Sequence, residues 1–178
     1  TIEIVDSINI PSDAIASFDV SENKDNSVMA WLTINSEDNT LYDLKIGGEG
    51  KVIANPDSSD VFFRFSQLTS VNLKLLDTSR VTNMAGMFWY CYNLTTLDLS
   101  NFDTSNVIDM SAMFMGCNNL TTLNLSNFDT SKVTDMASMF YECNNLTTLN
   151  LSNFNTASVT DMVQMFYNCK NLTTLDVS

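Results

Sequence analysis

The chain has 178 residues, 44% hydrophobic and 16% charged, with 8 basic against 21 acidic side chains and a net charge of −13. That apolar share excludes a disordered acidic tail, and eight scattered Lys and Arg exclude nucleic-acid binding and attachment to an anionic membrane surface. Histidine is absent, which removes the commonest general base and transition-metal ligand, and no run of 18 apolar residues is present to span a bilayer.

The chain opens on Thr1 rather than Met, so the expectation is a mature or trimmed product whose signal peptide has been removed. Residues 1–60 carry no repeat. "TIEIVDSINI", "VMAWLTI" and "LYDLKI" read as strands, with "NSEDNT" (35–40) turning the second into the third. "GGEG" and "NPDSSD" are turn-rich breaks. Below about 60 residues an independent core is marginal. The segment therefore reads as a β-rich cap over the end of a repeat array, anchored by Trp31.

Residues 61–178 are that array. The four cysteines fall at 91, 117, 143 and 169, a constant step of 26. Leu94, Leu120, Leu146 and Leu172 keep the same step, as do Leu97, Leu123, Leu149 and Leu175. One unit reads "LTTLNLSNFDTSKVTDMASMFYECNN" (120–145), and a period of 26 with an LxxLxL core lies in the leucine-rich-repeat range. "TLNL" alternates apolar and polar side chains, which predicts a short strand. "SNFDTS" predicts a turn. Met136, Met139, Phe140 and Cys143 sit at i, i+3, i+4 and i+7, which predicts a helix of about two turns with Asp135 as its N-cap. Strands stack about 4.8 Å apart and helices about 10 Å apart, so the array is expected to curve with the sheet on its concave side. The expected fold class is thus α/β, a leucine-rich-repeat solenoid with short parallel strands inside and short helices outside. The register extends back to Val61, Phe62 and Phe65, in the columns of Met87, Phe88 and Cys91. The last unit stops partway at "LTTLDVS". No C-terminal cap is visible there, so the native chain is expected to continue beyond Ser178.

"LTTLDLSNFDTSNVIDMSAMFMGCNN" (94–119) closely resembles the repeat of the BspA-like leucine-rich-repeat surface proteins of bacteria. The likeness covers about 68–178 strongly, and extends more loosely over "SFDVSENKDNSVMAWL" and "LYDLKIGGEG". The resemblance implies an extracellular or bacterial cell-surface location. It also implies adhesion to host extracellular or cell-surface proteins or glycans, with no catalytic residues and no cofactor.

Four candidate sites arise from the columns. The recurring Met and Cys could form a soft-metal or thiol relay. Against this, Val61 and Phe65 replace Met and Cys in the earliest unit, so the column reads as buried packing. Disulfides between successive cysteines are not expected, because helices about 10 Å apart exceed the 7 Å Cα limit. The Asp77, Asp103, Asp129, Asn155 column could hold Ca²⁺, but Asn155 keeps turn chemistry and drops the charge, so no metal site is assigned. Two surfaces remain as ligand-binding candidates. One is the polar file Thr96, Asp98, Thr122, Asn124, Thr148 and Asn150 of the concave face. The other is an aromatic stripe on the convex side, Trp89, Tyr90, Tyr141 and Tyr167. The resulting expectation is a non-catalytic surface protein that binds proteins or glycans, or alternatively a spacer that displays another domain.

Overall fold

In the computed structural model, which describes residues 1–20, 27–37 and 42–178, the three predicted N-terminal strands form. They are β1 (Ile2–Val5), β3 (Val28–Ile34) and β4 (Tyr42–Gly48). An unpredicted strand, β2 (Ala16–Asp19), pairs antiparallel with β3. β3 and β4 pair antiparallel from Val28 opposite Gly48 to Ile34 opposite Tyr42. The turn expected between them begins at Asn35, whose side-chain oxygen accepts the Glu37 N–H at 2.9 Å. Residues 38–40 of that turn lie outside the described residues. Trp31 is 3% exposed, as a core anchor should be. The chain at Ser7 passes so close to Gly47 that a Cβ there would collide with the Ser7 carbonyl.

β5 (Val52–Ile53), β6 (Val71–Asn72) and β7 (Leu76–Asp77) join this segment to the repeats. β6 pairs parallel with β1, Val71 opposite Ile2, completing a sheet of order β2-β3-β4-β1-β6. β5 lies parallel on β7. The N-terminal sheet therefore grows directly out of the strand side of the first 26-residue unit.

Each unit is a coil stacked on the next, and the expected architecture is corrected at this level. Among the described residues there is no helix, so the solenoid with strands inside and helices outside does not form. Strands are sparse too. β8 (Thr148–Asn150) pairs in parallel with β9 (Thr174–Asp176), and Thr122 makes a single parallel bridge to Thr148. The remainder is turns and extended coil.

The segment expected to be helical shows why. In 136–143 the amides alternate. Met136, Ser138, Phe140 and Glu142 donate to Asp161, Val163, Met165 and Tyr167 of the following coil. Between them, Met139, Tyr141 and Cys143 donate three residues back, to Met136, Ser138 and Phe140. A helix would satisfy all of these within itself; here half are spent joining coils. Two positions per coil turn left-handed: Ser138 (φ 56°) and Glu142 (φ 57°), matched by Gly86 and Tyr90, Ala112 and Gly116, and Gln164 and Asn168. Each is the third residue of a turn closed by an i→i+3 bond, the place where a type II turn requires positive φ. The same Met, Phe and Cys side chains still point inward, which is how turns mimic a helical stripe. Asp135 still accepts a backbone amide, from Ala137 at 2.8 Å, but it starts a turn and not a helix.

With no helix to widen one side, the basis for the expected curvature disappears. Amide bonds cross between coils on the turn side as well as the strand side. Phe62, Phe88, Phe114, Phe140 and Phe166 stack ring on ring, with centroids 5.2, 5.9, 5.7 and 5.6 Å apart. Around this stack close Val107, Met110, Met113, Cys117 and Leu120 of the middle coil, all 0% exposed. Val61 and Phe65 break the column rule. They are 47% and 42% exposed, because no coil lies over the turns of the first unit.

Polar side chains tie the outer edge. Asn101, Asn127 and Asn153 each donate two bonds to carbonyls of the preceding coil; for Asn127 these are Leu99 and Phe102, at 3.0 and 2.9 Å. Thr78, Thr104 and Thr130, 1–2% exposed, each exchange a donated and an accepted bond with the residue 25 further on.

Candidate functional site

The sulfur column is packing. Cys91, Cys117 and Cys143 are buried and Cys169 half-buried, all as free thiols. Each donates S–H to a carbonyl of the preceding coil: Phe62, Phe88, Phe114 and Phe140, at 3.0 to 3.3 Å. The expected absence of disulfides rested on helices standing well apart, and that reason fails because the coils are closely stacked. The thiols instead spend their hydrogens on carbonyls, facing the core. Burial pushes the Cys91 thiol up to about 12 and raises the other three. A thiol raised in the folded state favours folding below the ordinary value of 9.0, and that contribution fades as pH rises through the raised value. Labelling the native protein with a maleimide at pH 7 is expected to modify Cys169 first. The three buried thiols should react only with denaturation; rapid labelling of all four would contradict the packing.

The carboxylate columns are turn chemistry. Asp77, Asp103 and Asp129 accept the amides of Ser79, Ser105 and Ser131 at 2.9 to 3.0 Å, and Asn155 does the same for Ala157. Among the described residues no group of three or more Cys, Asp or Glu side chains could hold a metal ion. The hydroxyls and then the amides of Ser59, Ser79 and Ser100 hold Asp57, Asp77 and Asp98 below the usual 3.8. Lowered carboxyls stabilise the fold above that value, and the contribution is lost as pH falls through the lowered ones. The urea midpoint should therefore drop on going from pH 6 to pH 3. Replacing Asp77 and Asp98 by Asn, which keeps the Asn155 type of turn, should flatten that drop; an unchanged slope would contradict the assignment.

The polar file lies on the surface. Thr96, Thr122 and Thr148 are exposed, at one position of successive coils. Asp98, Asn124 and Asn150 alternate with them, but their side-chain oxygens are turned back on the amides of Ser100, Ser126 and Ser152, at 2.9 to 3.1 Å. The face thus presents threonine hydroxyls, two amide N–H₂ groups and the Asp98 carboxylate, with one oxygen each of Asp98, Asn124 and Asn150 spent on a turn amide. No aromatic or cationic anchor belongs to the file.

The aromatic positions do come together, and with residues the sequence reading missed. Trp89 packs on Phe63 at 4.8 Å and on Tyr90 at 5.3 Å, and Tyr90 stacks on Tyr92 at 5.2 Å. The Arg64 guanidinium lies over Phe63 and Tyr90, 5.0 and 5.9 Å from their centroids. Further down the stack Tyr141 and Tyr167 pair at 4.9 Å. Partial burial, then Glu142, Tyr167 and Tyr90, raise the Tyr141 hydroxyl. Tyr92 and Tyr167 are 39% and 54% exposed, whereas Trp89, Tyr90 and Tyr141 are half-buried. Gly116 makes room for this arrangement: at φ 72°, a Cβ would lie 2.5 Å from the Tyr90 ring. The indole N–H of Trp89 is enclosed without a partner. Phe63 was legible in principle, since it stands one period before Trp89. Arg64 was not, because its column otherwise carries Tyr90, Gly116, Glu142 and Asn168.

No helix is long and apolar enough to cross a membrane among the described residues. A family model described as "Mycoplasma protein of unknown function, DUF285" matches residues 57–177. That match, and not the BspA-like leucine-rich-repeat family, is the one found, which together with the absence of helices corrects the expected resemblance. No curated protein and no solved structure matches the chain.

Proposed function

The chain belongs to the DUF285 family, and we propose that it is a non-catalytic, secreted or cell-surface bacterial protein whose aromatic cluster binds an extracellular protein or glycan. One observation carries this reading. Phe63, Arg64, Trp89, Tyr90 and Tyr92 gather on one surface, while the polar file presents small hydroxyl and amide groups. Trp, Tyr and Arg are the side chains on which binding energy concentrates. Packing along the array covers part of the ring faces and brings the Tyr90 ring against Trp89, Tyr92 and the Arg64 guanidinium. That geometry suits a protein surface or sugar hydroxyls better than a flat aromatic ligand. Catalysis is not part of the proposal, since no histidine is present and no nucleophile stands apart from its repeat copies.

The test is binding of the purified chain to panels of matrix proteins, glycans and host cells. A ligand found there should lose about tenfold or more in affinity with Trp89→Ala or Tyr92→Ala, and little with Thr122→Ala on the polar file. Absence of binding across the panels, or equal loss from both surfaces, would overturn the reading. A spacer role is favoured by the uniform bonding between coils. It predicts that removing one internal coil, 120–145, shortens the molecule without altering what it binds.

A further inference from the structure

A slot of about 670 Å³ opens between the N-terminal sheet and the first coil, apart from the polar file. Volumes of roughly 300–1,000 Å³ are those of small-molecule sites. One wall is the sheet, contributing Ile2, Leu32 and Leu44; the other is the first coil, contributing Phe65 and Leu68. The repeat explains why the slot exists. In later coils the position of Phe65 is a cysteine whose thiol reaches a carbonyl of the coil before it. The first coil has no such neighbour over its turns. Phe65 turns outward, meets Phe62 edge-on at 6.3 Å and stays 42% exposed.

Arg64 also lines the slot. Its guanidinium rests over Phe63 and Tyr90, and among the described residues it makes no ion pair and no side-chain hydrogen bond. In a chain of net charge −13 a cation held by rings, with its N–H donors unspent, is poised for an anion from outside. A guanidinium takes a carboxylate through two parallel hydrogen bonds. Glu37 lines the same slot and opposes a doubly charged head such as a phosphate monoester.

We propose that this slot binds a free single-chain carboxylate amphiphile, its chain between Ile2, Leu32, Leu44, Phe65 and Leu68 and its carboxylate on Arg64. The proposal does not depend on the aromatic cluster's binding a macromolecule.

Calorimetric titration of the full chain with decanoate below its micelle concentration, and in parallel with decanol, tests it. Saturable one-to-one binding of decanoate is expected. Arg64→Gln should weaken decanoate about tenfold, the size of one charge-assisted contact, and leave decanol unchanged. Phe65→Glu, at an exposed position where folding should survive, should abolish binding of both, with thermal melting confirming the fold. No saturable binding would overturn the proposal. So would equal loss of both ligands in Arg64→Gln, an unchanged decanoate affinity in that variant, or full binding by a folded Phe65→Glu protein.

Discussion

Phe114→Ala is expected to lower the free energy of unfolding by about 3–5 kcal/mol, the usual cost of emptying a large aromatic site. Phe114 is 0% exposed and lies between Phe88 and Phe140, 5.9 and 5.7 Å away and nearly parallel to both. Coils in a stack touch only their neighbours, so damage in a middle coil weakens two interfaces at once. The ring also has nothing able to collapse into its place, because every neighbour is fixed to its own column. Phe166, half-buried and with one stacked partner, should cost clearly less on the same change. Urea denaturation of the two variants gives the comparison. Equal losses would mean that the ring stack is not a continuous spine.

Asn127→Ala is expected to cost about 1–3 kcal/mol, since the Phe102 carbonyl loses its donor while the Leu99 carbonyl loses one of two and keeps the Phe102 amide. The Nδ2 group reaches Leu99 and Phe102 of the preceding coil, capping from outside a turn that the Phe102 amide closes on the Leu99 carbonyl. Asn127→Asp should be at least as damaging, because it sets a carboxylate oxygen against those carbonyls, and it should be partly relieved at acid pH where the carboxyl can donate. A loss below about 0.5 kcal/mol for Asn127→Ala would show that water replaces the amide freely. Denaturant midpoints at pH 7 and pH 4 separate these outcomes.

Much of the molecule can be read from its repeat, and the part that cannot has a specific cause. The step of 26 places Leu, Met, Phe and Cys columns inside, and in the interior coils they are inside. The alternation in "TIEIV" and "VMAWLTI" gives strands where β1 and β3 lie. The helix fails because i, i+3, i+4, i+7 is also the inward face of successive tight turns. What separates the two is the backbone at the columns of Ala112 and Gly116, not the side chains facing inward. Only Gly86 and Gly116 mark the left-handed positions openly; Ala112, Ser138 and Glu142 occupy them in disguise. Expected curvature and the helix spacing used against disulfides both inherited that error. Val61 and Phe65 stand in columns that are buried in the interior coils, yet they are exposed, because the first member of a column has no coil before it. The candidate site was half visible: Trp89, Tyr90, Tyr141 and Tyr167 were found by position, but Phe63 and Arg64, which complete the cluster, lie at the start of the array where the repeat is least regular.

The account turns on left-handed turns standing where a helix was expected, and Ala112→Gly measures this most directly. Ala112 has φ 53°, a conformation that costs a residue with a Cβ about 1–2 kcal/mol. Glycine there should raise the urea midpoint, for a gain of about 1 kcal/mol after its greater unfolded-state entropy is subtracted. In a helix the same substitution loses about 1 kcal/mol. The sign decides: stabilisation by Ala112→Gly is the predicted result, and destabilisation by a similar amount would contradict the helix-free coil stack.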